Sequence, residues 1–296
     1  MNLVVGATGL LGSEICRLLA DKGQPVKALV RTTSDPVRVE ALHQNGVEIV
    51  VGDLKDRSSL DAACRDVTSI ISTASATLSR QEGDTLQTVD LEGQLQLIDA
   101  ARAAEVKWFV FVSFRTSENP SLQYPLKMAK RAVEEHLQRS GMAYTILQAG
   151  YFMEVWLGPA LDFDHANAKA RVYGAGQNPL SWISLVDVAQ FAVACLDNPA
   201  VRNAILEVGG PEALTPLQVV QIFEEVKGEK FTVEHVPEEA LQAQKAAATD
   251  PLQETFAALM LQYASGDAID MEATLETFRL RLTSVKDYAR RVSGSS

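Results

Sequence analysis

The chain opens with an apolar run, Asn2-Leu3-Val4-Val5, that passes directly into Gly6-Ala7-Thr8-Gly9-Leu10-Leu11-Gly12 and then into a helical pattern. Glycines at the joint between a strand and a helix let the backbone turn sharply and come close to a ligand. A helix that starts there aims free N–H groups and its positive dipole end at a bound phosphate. Leu11, Ile15, Leu18 and Leu19 fall on one helical face, and Val26 to Val30 supplies the next strand, so a βαβ unit fits within about thirty residues. The turn is therefore expected to hold the pyrophosphate of a dinucleotide through Gly6, Thr8, Gly9, Leu10, Leu11 and Gly12. Its Gly-x-x-Gly-x-x-Gly spacing has one more residue between the first two glycines than the common fingerprint, which points away from the standard dehydrogenase turn.

Short apolar strands continue to alternate with helical periodicity, at Asn2–Val5, Val26–Val30, Glu48–Val51, Ser69–Ser72, Trp108–Val112, Tyr144–Leu147 and Ala204–Val208. That alternation predicts an α/β fold, a Rossmann-type doubly wound parallel sheet covered by helices on both faces. Gly174, Gly176 and Pro179 break the pattern between Leu157 and Leu180, and the stretch after Gly209-Gly210-Pro211 turns largely helical. The expected division is an NAD(P)-binding core over 1–156 and a smaller, mostly helical substrate lobe over 157–296, with 181–209 returning to the core. Ala- and Gln-rich helices from Glu238 to Asp270 read equally well as a lid or as a solvated cap. The end, Ser293 to Ser296, reads as frayed.

Lys and Arg number 27 against 38 Asp and Glu, a net charge of −11, and no basic patch is visible, so nucleic acid is not an expected partner. No segment approaches the roughly 18 apolar residues of a membrane span. The three cysteines, Cys16, Cys64 and Cys195, are scattered in helical patterns, as reduced core thiols are, which points to the cytoplasm. His43, His136, His165 and His235 are isolated, and no metal is expected. Asp162-Phe163-Asp164-His165 reads as a loop decoration.

The end of the second strand carries the cofactor preference. Val30 is followed by Arg31-Thr32-Thr33-Ser34, where an acidic residue would bind the adenosine ribose and select NAD(H). An arginine with three hydroxyl neighbours instead offers charge-assisted bonds to a 2′-phosphate, so NADP(H) is favoured over NAD(H), with Arg31 and Thr32 as contacts. Gly52-Asp53-Leu54 follows the third strand, where Asp53 reads either as an acceptor for the adenine amino group or as a cap for the helix near Ser58. Ser72, Thr73 and Ala74 supply small residues that let the backbone pass near a ribose.

Together, Gly6 to Gly12, Val30-Arg31, Gly52-Asp53-Leu54, Phe109-Val-Phe-Val-Ser113, Lys130-Arg-Ala-Val-Glu134, Tyr144-Thr-Ile-Leu-Gln-Ala-Gly-Tyr-Phe-Met153 and Ser184-Leu-Val-Asp187-Val-Ala189 resemble the NmrA-like branch of the atypical short-chain dehydrogenases. The resemblance covers most of the chain and is strongest up to about Asp197. It implies a Rossmann domain for NADP(H) or NAD(H), in a family that ranges from NADPH-dependent reductases of quinones, phenylpropanoids or nitrogenous substrates to redox sensors that bind a protein partner.

Departures from that pattern bear on the chemistry. Short-chain dehydrogenases place a tyrosine four residues before a lysine, whose ammonium lowers the phenol pKa and holds the nicotinamide ribose. Lys130 aligns with that lysine, but Leu126 stands where the tyrosine is expected. Tyr124 is the alternative phenol, provided that it precedes the helix that Pro125 begins, since a helix turns about 100° per residue. Lys130 lies at the margin of an apolar face formed by Ala129, Ala132, Val133 and Leu137, either reaching a ribose hydroxyl or pairing with Glu134 at the surface. Ser113, at the end of the fifth strand, is followed by Phe114-Arg115 where a second small hydroxyl residue is usual. Gln148-Ala149-Gly150 replaces the commoner Arg-Pro-Gly, and Tyr151 and Phe152 read either as a cover for the nicotinamide or as packing.

Two functions follow. The first is an NADPH-dependent reductase of a small carbonyl, quinone or related electrophile, with Lys130 and Tyr124 as catalytic candidates. The second is a non-catalytic NADP(H) sensor that engages a regulatory protein partner.

Overall fold

A computed structural model describes residues 1–78, 80–116 and 119–294. The first half alternates strand and helix: β1 (Asn2–Val5), α1 (Leu10–Asp21), β2 (Val26–Val30), α2 (Pro36–Gln44), β3 (Glu48–Val51), α3 (Arg57–Ala63), β4 (Ser69–Ser72), α4 (Gln94–Ala103), β5 (Trp108–Phe114), α5 (Pro125–Arg139) and β6 (Ala143–Ala149). The second half contains β7 (Tyr151–Phe152), α6 (Met153–Trp156), β8 (Phe163–Asp164), β9 (Lys169–Tyr173), β10 (Leu180–Ile183), α7 (Leu185–Asp197), β11 (Ala204–Val208), β12 (Ala213–Leu214), α8 (Pro216–Lys227), β13 (Thr232–Val236) and α9 (Glu238–Ala246) to α12 (Val285–Ser293).

Two compact units result. The first contains Met1–Phe114, Leu126–Gln148 and Val188–Leu206. Its sheet runs β11-β6-β5-β4-β1-β2-β3, and β1 is parallel to both β2 and β4, with Val4 opposite Ala28 and Ile71. This is the doubly wound fold that the strand alternation predicts. Leu3, Val4 and Val5 are all buried, as a strand covered on both faces requires. Leu11, Ile15 and Leu19 bury one face of α1. Chain order reverses at β1 and β4, and the crevice outside the carboxyl ends of strands at such a reversal is where this architecture binds ligands.

The second unit contains Arg115–Pro125, Ala149–Asp187 and Glu207–Ser296. Besides its helices it has two three-stranded sheets, β12-β10-β7 and β13-β9-β8, which the sequence pattern did not reveal. Three of their strands, β7, β8 and β12, are two residues long, too short for a period-2 signal, and β9 and β13 are partly exposed. The units also divide differently from the bounds read off the sequence. Residues 149–156 join the second unit because Tyr151 and Phe152 pair with Trp182 and Ile183, and only 188–206 returns to the first. The helix α12 runs through Ser293 and is closed by Gly294 at φ +65°, so the fraying read at the terminus does not reach Ser293; Ser295 and Ser296 lie outside the described residues.

Trp182 anchors this unit. Its ring is buried between Tyr151 and Tyr263, and its Nε1 donates to Leu214 O at 2.8 Å. Trp182→Ala is expected to cost about 3–5 kcal/mol, read as a lower denaturant midpoint. A loss below about 1 kcal/mol would show that the ring is not a core element.

Candidate functional site

At the switch point, Gly6 adopts φ +85° and Gly9 is the N-cap of α1 without any side-chain cap. Gly9 N donates to Gly6 O at 3.0 Å and Ser13 N to Gly9 O at 2.9 Å, which closes the turn and leaves the first-turn amides of α1 for an outside acceptor. The glycines differ in what requires them. A Cβ at Gly12 would lie 2.2 Å from Gly6 O, so Gly12 lets the helix pack on the loop. A Cβ at Gly9 would meet only Gly6 O at 3.2 Å, and φ there is −77°. Nothing inside the chain strongly demands glycine at that position, which fits a surface kept clear for a ligand. Leu10 is exposed on the first turn, while Leu11 faces the core.

The loop after β2 is occupied. Arg31 Nη1 donates to Asp84 Oδ2 at 2.5 Å, Lys55 Nζ binds the other oxygen of Asp84, and Gln81 N also donates to this carboxylate. Burial alone would raise the Asp84 carboxyl, but the hydrogen bonds from Lys55, Arg31 and Gln81 outweigh it and hold the group below the usual range. Arg31 N donates to Ser34 Oγ, Thr33 Oγ1 meets Gln81 Oε1, and Thr32 is exposed. Arg38, on α2, donates to Thr8 O at 3.0 Å and so places a second cation beside the glycine turn. Sequence reasoning missed Arg38, Lys55 and Asp84. Their only signal was a cluster of charge near three strand ends.

Asp53 does not cap the next helix: its Oδ1 accepts from Lys55 N in a local turn, and Asp56 caps α3 through Ser58 N. The Leu54 side chain is buried in the core, so only its backbone remains for a ligand. Ser72 likewise points inward, donating to Gln94 Oε1 at 2.8 Å, and Thr73 Oγ1 donates to Val5 O. The small residues after β4 are therefore held by the core, with Gln94 Nε2 donating to Ala74 O at 3.1 Å.

Lys130 is buried rather than marginal, with a side chain 6% exposed, and its partner is not Glu134. Glu134 binds Arg131 and Gln148. Lys130 Nζ lies 3.3 Å from Asp90 Oδ1 and 5.0 Å from the centroid of the Phe111 ring. Among the described residues no acceptor takes a hydrogen bond from this ammonium. Ser113 stands two residues beyond Phe111 on the same face of β5, buried, with a hydroxyl that has no partner among the described residues.

Tyr124 does precede α5, yet it is a core residue of the second unit and its hydroxyl donates to Gln262 Oε1 at 2.9 Å. Its proton is thus committed to a buried amide that also bonds Arg115 O, which argues against the role of proton donor. Tyr151 is packed against Trp156, Trp182 and Tyr263 in the buried core of the second unit, as its packing alternative expects. Burial pushes its pKa well up. Phe152 is half-buried at the start of α6. The thiols of Cys16, Cys64 and Cys195 are all free and buried, each pushed up to about 12 by burial, and so are unreactive.

A glycine turn at the switch point of a seven-stranded doubly wound sheet defines a Rossmann-type α/β protein. The chain belongs to the NmrA-like family, whose model matches residues 2–289. It is similar to the photosystem II assembly factor Ycf39 of Synechocystis sp., with 34% identity over 243 residues, 79% of this chain and 70% of the relative. It is also similar to the NAD(P)H azoreductase of Xenophilus azovorans, with 32% identity over 231 residues, 77% of this chain and 74% of the relative. The NADPH-dependent quinone oxidoreductase of Escherichia coli, solved with NADPH, shares the fold at TM-score 0.79 and 22% identity, over 99% of this chain and 100% of that one. The Citrobacter sp. triphenylmethane reductase, solved with NADP(H), does so at 0.78 and 21%, over 98% and 99%. Among the described residues no helix is long and apolar enough to cross a membrane.

Proposed function

We propose that this protein is an NADPH-dependent reductase of a small carbonyl, quinone or related electrophile. The observation that carries the reading is Lys130, a buried ammonium beside Phe111 of β5 that donates no hydrogen bond among the described residues. A buried lysine without hydrogen bonds is costly, and a ribose diol would satisfy it. The uncapped start of α1, the clear face at Gly9 and the cations Arg31 and Arg38 fit the phosphates of NADP(H). When bound, NADPH supplies hydride. Lys130 would hold the ribose, and with Tyr124 committed elsewhere Ser113, Lys130 or water would hold the proton. The names of the relative and structural neighbours, azo, quinone and triphenylmethane reductases, support a conjugated aromatic or quinonoid electrophile as substrate. The buried free thiols suit a reducing compartment such as the cytoplasm. Steady-state oxidation of NADPH against a panel of quinones, enones and azo dyes tests this. Turnover of at least one class is expected, and cofactor binding with no turnover of any would overturn it.

That outcome would favour the second reading, a non-catalytic NADP(H) sensor with a protein partner. It is supported by the leucine at 126, the committed Tyr124 and the similarity to an assembly factor.

Cofactor choice has its own test. Arg31 keeps donors beyond the one used by Asp84, and a charge-assisted bond to a 2′-phosphate is worth about 1.5–3 kcal/mol, or roughly tenfold to hundredfold in affinity. NADPH is expected to bind more tightly than NADH, and Arg31→Ala to erase most of that difference while barely changing NADH. Calorimetric titrations that show equal affinities in the wild type, or equal losses in the variant, would remove Arg31 from the phosphate site.

A further inference from the structure

An unusual helical geometry precedes α4 in the first unit. Leu86–Gly93 winds as a π-helix before tightening into α4. Such turns are rare and usually a single turn long. Thr85 and Thr88 cap this one reciprocally, each hydroxyl accepting from the other's backbone N–H. The widened coil carries Asp90 into the interior, where its side chain is 0% exposed.

A fully buried carboxylate is unfavourable unless it is compensated. Asp90 Oδ2 accepts from Ala76 N at 2.9 Å, and Oδ1 faces Lys130 Nζ at 3.3 Å. The second contact is between charges and is not an aligned hydrogen bond, so the ammonium is held in place while its protons stay available. A lysine needing only charge balance would have Glu134 one turn along its own helix, without a second buried charge from elsewhere in the fold; that carboxylate is given to Arg131 instead. Gln94, one turn after Asp90, meanwhile grips Ser72 and Ala74. Ser72, Ala74 and Ala76 are therefore held from one side, and Asp90 also reaches α5.

Resting on the NADP(H) reading, we propose that Asp90 is a positioning residue for the nicotinamide-ribose half of the cofactor: one carboxylate holds both the Ala76 amide in the turn after β4 and the Lys130 ammonium, so that both are set before the cofactor arrives. The adenosine half depends on other residues, chiefly the glycine turn and Arg31. Asp90→Asn keeps an acceptor for Ala76 N and removes the charge that steadies Lys130.

The test compares two ligands, NADPH and 2′,5′-ADP, which has the 2′-phosphate and adenosine but no nicotinamide ribose. Calorimetry on the full chain should show Asp90→Asn weakening NADPH at least about tenfold and changing 2′,5′-ADP by less than about twofold. A merely structural role would weaken both alike, and that result, or unchanged NADPH affinity, would overturn the proposal. Should the single variant not fold, Asp90→Asn combined with Lys130→Met replaces the ion pair by neutral side chains and is expected to show the same selective loss at near wild-type Tm. Equal losses for both ligands in that double variant would likewise overturn it. If wild-type protein bound neither ligand, the cofactor reading itself would fail and the proposal with it, a result distinct from a selective or shared loss in a variant.

Discussion

Gly9→Val is expected to fold with nearly the stability of the wild type and to lose NADPH binding by about a hundredfold or more. The two halves of that expectation come from separate observations. Backbone angles of −77° and 167° suit valine, and the added Cβ meets one carbonyl oxygen at 3.2 Å, a contact that a few tenths of an ångström relieve. The branched side chain would then stand over the first-turn amides of α1, where a pyrophosphate needs direct access to the backbone. Calorimetry and thermal denaturation on the same preparation decide it. Unchanged NADPH affinity in a folded variant would remove this turn from the cofactor site.

Gly12→Ala is expected to do the reverse, destabilising the protein by about 3 kcal/mol or more while removing no group that a ligand would touch. A Cβ there would lie 2.2 Å from Gly6 O, 2.7 Å from Gly6 C and 2.9 Å from Ala7 Cα. All three are main-chain atoms of the loop that ends β1, so relief would require α1 to lift from the sheet and expose Leu11, Ile15 and Leu19. The expected readout is a fall in denaturant midpoint. A midpoint within error of the wild type would show that α1 tolerates displacement and that the spacing of the glycines is not a packing requirement.

Two glycines three residues apart thus fail in different ways, and no inspection of the motif separates them. The motif does locate the turn, because a strand, a glycine joint and an amphipathic helix are contiguous and each is readable from local periodicity. The same holds for Arg31 at the end of β2 and for Lys130 on α5. What those side chains touch was less legible. Lys130 reads from its neighbours as a helix-margin residue with Glu134 one turn away, yet it is buried against Asp90, which the π-helix turns inward. An aspartate flanked by Val89 and Leu91 was the available signal.

Tyr124 shows the limit from the other side. Despite its irregular spacing from Lys130, its place just before Pro125 made it the alternative phenol, but its hydroxyl is bound by Gln262, 138 residues further along the chain. Periodicity, glycine placement and charge by themselves determined the doubly wound sheet, the glycine turn between β1 and α1 and the cationic end of β2, because each is a property of neighbouring residues. Only the tertiary structure decided which donors are committed and which remain free. Burial makes every unsatisfied polar group expensive, so the pairing of Asp90 with Lys130, of Asp84 with Arg31 and of Tyr124 with Gln262 was settled by which distant groups the fold brought within reach.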